Sequence, residues 1–487
     1  MAVASPNDQR VRRPVSHPAL GGLLVLTAIA VLMAGTHIPS KWALAVLLGA
    51  GFVALAAARP REALMATVLY AEVVAGLVKN IEQGSTASAA IPDAMAAIVL
   101  VAAVARFGVV WPKTTLDWLV ALFIALVVLM ALVNPAAPHG VQLLGGVRTL
   151  VLYLPFYFLA RDLVPTRARE RLLLTTIVVG GAVLGVVSMV QYVMGPTWSQ
   201  QHHLTTRVVL GFSSSGGAFR PPSLFPLPGV AGMVFAALLV INVALLMRPQ
   251  GRSYRLLILT LLPIAFGLFA SGQRAAMLGA GLALVLLGVV TRSRILIGTV
   301  LICGALALGA SVLSGGGGAV GRVSSVSGAS STSSTSSRFH TWSSVIRQIP
   351  VFPFGHGPGY TGSSALRFGS RTGATPRVVS DNYWIKQLWE MGLLGALWYT
   401  ALLIVAIRLA LHRFKYETDR WGTLLPLVMF GLLVQQAAAS LFTNSLDPSP
   451  YNLLFWLLLG LLRTPPRPDR DPVLVPETDA VPAPVTA

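Results

Sequence analysis

The chain has 487 residues, of which 55% are hydrophobic and 11% charged, and its mean hydropathy is +0.72. Soluble globular proteins carry roughly 25% charged residues, and a transmembrane β-barrel is written in short alternating segments; continuous apolar runs instead define an all-α, polytopic integral membrane protein. The formal net charge of +19 does not mark a nucleic-acid binder, because most basic residues sit in short turns between apolar runs.

In chain order, apolar runs of bilayer-spanning length fall near 19–35, 42–58, 62–78, 91–105, 116–133, 143–160 and 171–194. Further runs fall near 225–247, 254–270, 273–290, 294–313, 390–407, 421–443 and 450–462, which makes about fourteen transmembrane helices. The basic segment Arg10–Arg13 followed by an apolar run from Ala19 has the outline of a signal peptide but no small-x-small cleavage site, so it reads as an uncleaved first helix. Residues 1–18 are then an N-terminal tail, 19–313 hold helices one to eleven with an outer loop near 195–224, and 314–389 form one large loop. Residues 390–462 hold the last three helices, and 463–487 form a Pro-rich, disordered tail. Cys303, the single cysteine, lies inside an apolar run, which leaves no disulfide framework and no thiolate metal site.

Threading the helices alternately places 23 of the 36 lysines and arginines in the turns and tails of one side, among them Arg59, Arg106, Arg161, Arg167, Arg252, Arg292, Arg413 and Arg463. The positive-inside rule makes that side, and both termini, cytoplasmic. The large loop then faces the exterior. It begins with a flexible Gly/Ser tract over 314–337 and continues with an amphipathic helix over 338–349, capped by Ser337, whose apolar face is Phe339, Trp342, Ile346 and Ile349. His340, Ser344 and Arg347 share a polar face of that helix.

Thirteen basic residues escape the topological explanation, and ten of them are arginines: Arg148, Arg207, Arg220, Arg274, Arg322, Arg338, Arg347, Arg367, Arg371 and Arg377. The planar guanidinium binds phosphate bidentately, so an arginine-rich, carboxylate-poor outer face suits an anionic ligand such as a lipid diphosphate. Arg148 lies about 8 Å inside its helix, where snorkelling or a pair with Glu72 would be the structural alternatives. Arg274 starts a helix after the short turn Ser271–Gly272–Gln273, and Arg220 enters the membrane through a proline-stiffened segment. The run Gly355–Tyr360 (GHGPGY) could present backbone N–H groups to a phosphate or sugar, through Gly355 and Gly357, or be a plain tight turn. Asp381 is the carboxylate of the large loop, able to act as general base or to cap the next helix, and Asn382 could orient a hydroxyl beside it.

Together these motifs resemble the O-antigen ligase and O-antigen polymerase family of bacterial integral membrane glycosyltransferases. Its ligases carry His-Asn, nine residues, Gly, two residues, Gly at the end of the large loop; here Asn382 is followed by nine residues and then Gly392-Leu-Leu-Gly395, with Asp381 at the histidine position. The block Arg338, Trp342, Pro353, Gly355, Gly357 is similar to the family, as are the turn at Arg274, the segment after Arg220 and the helix around Arg148, so that the resemblance spans roughly 115–463. It implies metal- and cofactor-free, inverting transfer of a glycan from a polyprenyl-diphosphate-linked oligosaccharide to an acceptor glycan or glycolipid. The reaction would run on the outer face of the bacterial inner membrane, within the bilayer and alongside other polysaccharide-assembly proteins. Arg148, Arg220, Arg274, Arg338, Arg347, Asn382, Gly355 and Gly357 would bind substrate, with Asp381 or His340 as the base. A flippase for lipid-linked oligosaccharides is the alternative; it would spread its arginines through a cavity open to both leaflets rather than gather them at one face.

Overall fold

The computed structural model describes residues 40–81, 90–206, 219–247, 253–298 and 300, 333–365 and 368, 382–417, 422–447 and 449–464. These fold as helices and connecting turns: α1 (Ser40–Ala58), α2 (Pro60–Leu69) continued through a π-helical turn Tyr70–Val74 into α3 (Ala75–Ile81), α4 (Ile91–Phe107), α5 (Thr115–Val133), α6 (Val141–Val151) and α7 (Pro155–Leu163). They are followed by α8 (Arg167–Gln201), α9 (Pro228–Leu246), α10 (Ser253–Ala270), α11 (Arg274–Thr291), α12 (Ser333–Gln348), α13 (Tyr383–Tyr416), α14 (Leu424–Ala439) and α15 (Tyr451–Arg463).

Six of these spans are long and apolar enough to cross a membrane, or seven if α6 and α7 are one bent span, and four shorter apolar helices accompany them. The protein is a polytopic helical membrane protein. The runs expected at 19–35 and over most of 294–313 lie outside the described residues, as do the Gly/Ser tract up to residue 332 and the C-terminal tail after 464.

Local sequence chemistry explains the boundaries. α5 opens with a capping box in which Thr114 Oγ1 accepts from Asp117 N at 3.2 Å and Asp117 Oδ2 accepts from Thr114 N at 3.0 Å. The run 143–160, expected as one helix, is bent by 42° between α6 and α7; Pro155 has no N–H to continue the first helix. The run 171–194 continues beyond its expected end, because the chain turns at Gly195 (φ 83°) and resumes helical geometry through Gln201. The run expected from 390 begins seven residues earlier, at Tyr383, and is kinked at Gly392.

α9, α14 and α15 form the core. α15 is buried along its whole length from Tyr451 to Leu462, as befits a helix apolar on all sides. α9 packs on α10, α11 and α14, α8 packs on α10, α13 on α5 and α14, and α15 on α7. Leu122, Leu129 and Leu132 of α5 point outward, as positions facing lipid tails do.

One end of the bundle is closed by a basic clasp. Arg161 pairs with Glu170 and donates to the carbonyls of Leu461 and Thr464, Arg413 donates to Leu462 O, and Arg463 Nε meets Asp117 Oδ1 at 2.8 Å. Arg169 meets Glu62 at 2.9 Å, and Arg106 donates to Ala58 O at 3.1 Å. Cations at the C-terminal carbonyls of α15 and α1 answer the unpaired acceptors and negative dipole end found there. These contacts gather at one end several of the turns whose arginines are concentrated in the sequence.

Candidate functional site at the opposite end of the bundle

The opposite end is also polar, and it holds Arg220, Arg274 and Asn382. α11 begins at Arg274 without a side-chain cap, so its first N–H groups have no capping acceptor. Arg220 Nε donates to Ser271 O at 2.9 Å in the turn just before that helix, and a Cβ on Gly272 would stand 3.2 Å from the same Nε. Arg220 and Arg274 are both half-buried. The turn therefore sets two guanidinium-bearing residues at one helix N-terminus, whose dipole also favours an anion.

The same corner receives the end of the large loop. Gly279 of α11 packs on Gln435 O and Ala439 of α14, so the start of α11 lies beside the end of α14. Ser440, which follows α14, accepts from Tyr383 N at 2.8 Å, and its hydroxyl accepts from Trp384 Nε1 at 2.8 Å. Asn382 is buried and caps α13, its Oδ1 accepting from Ile385 N at 3.1 Å. The cap of α13 is thus Asn382, and Asp381, the expected base, precedes it immediately but lies outside the described residues.

The spacing from Asn382 to Gly392 acquires a physical reason. Asn382 starts a segment of nine residues, about 14 Å long at 1.5 Å per residue, and Gly392 (φ 65°, ψ −157°) breaks it. A side chain at Gly392 would collide with Pro353 O, and Leu393 N donates to that same carbonyl at 3.1 Å. The glycine is required both for its left-handed φ and for the close approach of two backbones.

Through this kink the GHGPGY run is seated, and its expected role is corrected. Gly355 N donates to Phe352 O (2.9 Å), His356 N to Trp389 O (2.8 Å) and Gly357 N to Glu390 O (2.9 Å). Thr361 N donates to Glu390 Oε1 at 3.2 Å. Gly355 O and Gly359 O accept from Asn134 Nδ2 and Gln142 Nε2, each at 3.0 Å. The N–H groups of Gly355 and Gly357 are engaged inside the fold, so the run fastens α13 to α5 and α6 rather than offering those donors to an anion. His356 is buried, stacked on Tyr360 at 4.2 Å, and burial lowers its basicity below that of an ordinary imidazole, while its backbone bond with Trp389 works the other way.

Arg148 pairs with Asp93, not with Glu72. Its guanidinium meets Asp93 Oδ2, while Tyr153 OH donates to Asp93 Oδ1 at 2.6 Å. The Arg148 side chain remains 41% exposed, which leaves part of its donor fork facing outward.

The loop helix differs from expectation at both its cap and its face. α12 starts at Ser333, so Ser337 lies inside it. Among its described side chains Val345 is buried, packed with Ile385 and Trp389 of α13 and with Trp342 of the expected apolar face, whereas Ile346 of that face is 55% exposed. Counting 100° per residue, His340 and Arg347 stand about 140–160° around the helix from Val345, and both are exposed. They are turned away from α13 and are not brought to Asn382. The Arg338 side chain, together with Arg207, Arg322, Arg367, Arg371 and Arg377, lies outside the described residues.

Three residues behind the corner escaped the sequence reading as a unit: Lys386, Glu390 and Asp447. Lys386 Nζ pairs with Asp447 Oδ1 and stands 3.8 Å from Glu390 Oε2, with all three side chains 6% exposed or less. The signal was present, since Lys386 and Glu390 are an i,i+4 pair and Asp447 is a carboxylate in an outer turn.

The fold and this corner define a multi-pass membrane protein with an arginine- and asparagine-bearing polar site at one end of its bundle. Residues 258–400 match the family model described as O-antigen ligase (Wzy_C). The matched region runs from α10 through Arg274, the large loop, Asn382 and the Gly392 kink; Arg148 and Arg220 precede it. No curated protein matches the sequence.

Proposed function

We propose that this protein is a glycosyltransferase of the outer membrane face that moves a glycan from a polyprenyl-diphosphate donor to a sugar hydroxyl of an acceptor glycan or glycolipid, as a surface-polysaccharide polymerase or ligase. The observation that carries this reading is the junction of Arg220, the uncapped start of α11 at Arg274, and the Asn382 cap through the end of α14, most of it inside the stretch that matches the O-antigen ligase family model. The basic clasp at the other end supports placing that end in the cytoplasm of a bacterial inner membrane and the site outside.

In this reading Arg220 and Arg274 hold the donor diphosphate by charge-assisted hydrogen bonds, helped by the N–H groups opening α11. Asn382 positions the acceptor, and Asp381 takes the proton of its hydroxyl as that oxygen attacks the anomeric carbon. The carbon–oxygen bond to the lipid diphosphate breaks on the far face, inverting the centre. The charge growing on the leaving diphosphate is met by the two arginines, the role electrostatic preorganisation serves in transfer reactions. Arg148 extends the donor site. His340 and Arg347, exposed on the outer side of α12, contact the longer glycan chain.

The test is glycan transfer in vesicles loaded with one defined lipid-linked donor. Arg220→Ala and Arg274→Ala should each abolish transfer while membrane insertion and thermal stability stay normal; near-normal transfer by both variants removes the diphosphate role. Asp381→Asn should lower turnover more than donor affinity, and His340→Ala should leave turnover near normal. A product ladder identifies a polymerase, and a single addition to a different acceptor identifies a ligase.

A further inference from the structure

Glu72 takes no part in the polar corner, yet it is a charged residue type placed deep in the bundle. α2, the π turn and α3 form one span, Pro60–Ile81, and Glu72 sits at the centre of the π turn, where Ala75 N bonds back to Tyr70 O. Twelve residues separate it from Pro60 and nine from Ile81, so it lies about 18 Å from one end of the span and about 14 Å from the other. Single π turns inside α-helices recur at functional sites, and an ionisable residue at such depth carries a function by default.

The side chain is 1% exposed, and both of its carboxyl oxygens lack a hydrogen-bond partner. Across from it, α8 presents Gly180, where a Cβ would come within 3.0 Å of Glu72 Oε2; α8 thus omits a side chain where the carboxyl needs room. From Leu173 to Leu184 the buried positions of α8 are aliphatic or glycine. Of the charged groups on its own span, Arg61 and Glu62 are engaged at the basic end with Asp162 O and Arg169, and Lys79 lies about two turns away; α8, which packs against the turn, carries its charges, Arg167, Arg169, Glu170 and Arg171, at its start, nine or more residues before Gly180. No counter-charge therefore faces the carboxyl among the described residues. An ionised carboxylate cannot be buried cheaply without one, and a metal cation would ask for several further oxygen ligands, which the aliphatic surface of α8 does not supply. A proton needs only the carboxyl.

We propose that Glu72 is an exchangeable proton-binding site inside the membrane bundle. Gly180, Leu184, Ser188 and Gln191 follow one another at i, i+4, i+8 and i+11 along α8, and Ser188 Oγ, Gln191 Oε1 and Thr205 Oγ1 are buried without partners. Such atoms are seats for internal water, and they lead from the level of Glu72 toward the Arg220 end. Gly76, one turn beyond Glu72, packs directly on the Leu224 carbonyl, in the segment that carries Arg220. The charge state of Glu72 thus bears on the helix that supports one wall of the site. The inference does not depend on the reaction assigned to that site.

The experiment is infrared difference spectroscopy of the full chain in lipid vesicles, titrated with pH and exchanged into D2O, for wild type, Glu72→Gln and Glu72→Asp. A protonated-carboxyl C=O band is expected at neutral pH that fades in alkali, shifts in D2O and disappears in Glu72→Gln. Glu72→Asp, which keeps a carboxyl, should retain the band at a displaced frequency, and this variant carries the test if the glutamine variant does not fold. A wild-type spectrum without a Glu72-dependent band at any pH, or a band unmoved by alkali and D2O, overturns the proposal.

Discussion

Lys386 and Asp447 form an ion pair whose side chains are 1% and 6% exposed, with Glu390 close enough to share the same ammonium group. One buried cation thereby joins α13 to the turn between α14 and α15, while Glu390 holds the backbone of Thr361. Replacing Lys386 with Met leaves two buried carboxylates without a counter-charge, a change worth about 3–5 kcal/mol. The expected outcome is a large drop in the thermal midpoint of the detergent-solubilised protein. Neutralising the carboxylates as well, with Glu390→Gln and Asp447→Asn, should recover most of it. A single Lys386→Met variant as stable as wild type would show that the triad does not fasten these elements.

Gly392→Ala tests the kink. A backbone at φ 65° and ψ −157° is essentially open to glycine alone and costs a side chain about 1–3 kcal/mol, and the new methyl would overlap Pro353 O, so both folding stability and glycan transfer should fall. Gly281→Ala provides the contrast. It lies within α11 with open space around its Cβ direction, and there alanine should be neutral or slightly stabilising. Equal behaviour of the two variants would remove the geometric reason for glycine at 392.

Much of the bundle was legible because apolar run length encodes a spanning helix directly: the runs at 42–58, 91–105, 116–133 and 273–290 each coincide with a helix to within a few residues. Breaks inside helices were harder to see. Pro155, Gly195 and Gly392 each stand in or beside an apolar run, and only packing decides whether such a residue ends a helix or bends it. In the proposed site, Arg220 and Arg274 stood out because a charge that topology does not call for is a local signal, whereas the cap of α13, expected of Asp381, is Asn382. The Arg148–Asp93 pair could not, since the choice between Glu72 and Asp93 depends on how α4, α6 and the π turn are rotated. The GHGPGY run misled for a related reason: glycine-rich backbone suits a ligand cradle and a close backbone crossing equally well. Here the carbonyls of Phe352, Trp389 and Glu390 occupy its N–H groups.

His356 makes the seated loop sensitive to acid. Burial depresses its basicity relative to the unfolded chain, so its contribution to stability is present above the ordinary imidazole range and is lost as pH falls through it. Lowering the pH from neutral should reduce the thermal midpoint of the wild type. His356→Phe keeps a ring to stack between Phe352 and Tyr360 and should flatten that pH dependence. An identical pH profile in both proteins would assign the acid sensitivity to another group.

Arg148 faces two possible demands, one from Asp93 and one from substrate, and a pair of substitutions separates them. Asp93→Asn removes the counter-charge yet leaves the guanidinium and an oxygen able to accept from Tyr153 OH; transfer should persist in this variant. Arg148→Ala removes the exposed part of the donor fork as well. The loss of one charge-assisted hydrogen bond, about 1.5–3 kcal/mol, should then weaken transfer by roughly ten- to a hundredfold, with the effect in apparent donor affinity. Stability should fall as well, because Asp93 is buried and keeps only its tyrosine donor, so transfer is compared per amount of folded protein. If both single variants instead lose transfer equally, and the double variant loses no more than either, the two side chains act as one structural unit and Arg148 does not touch the donor.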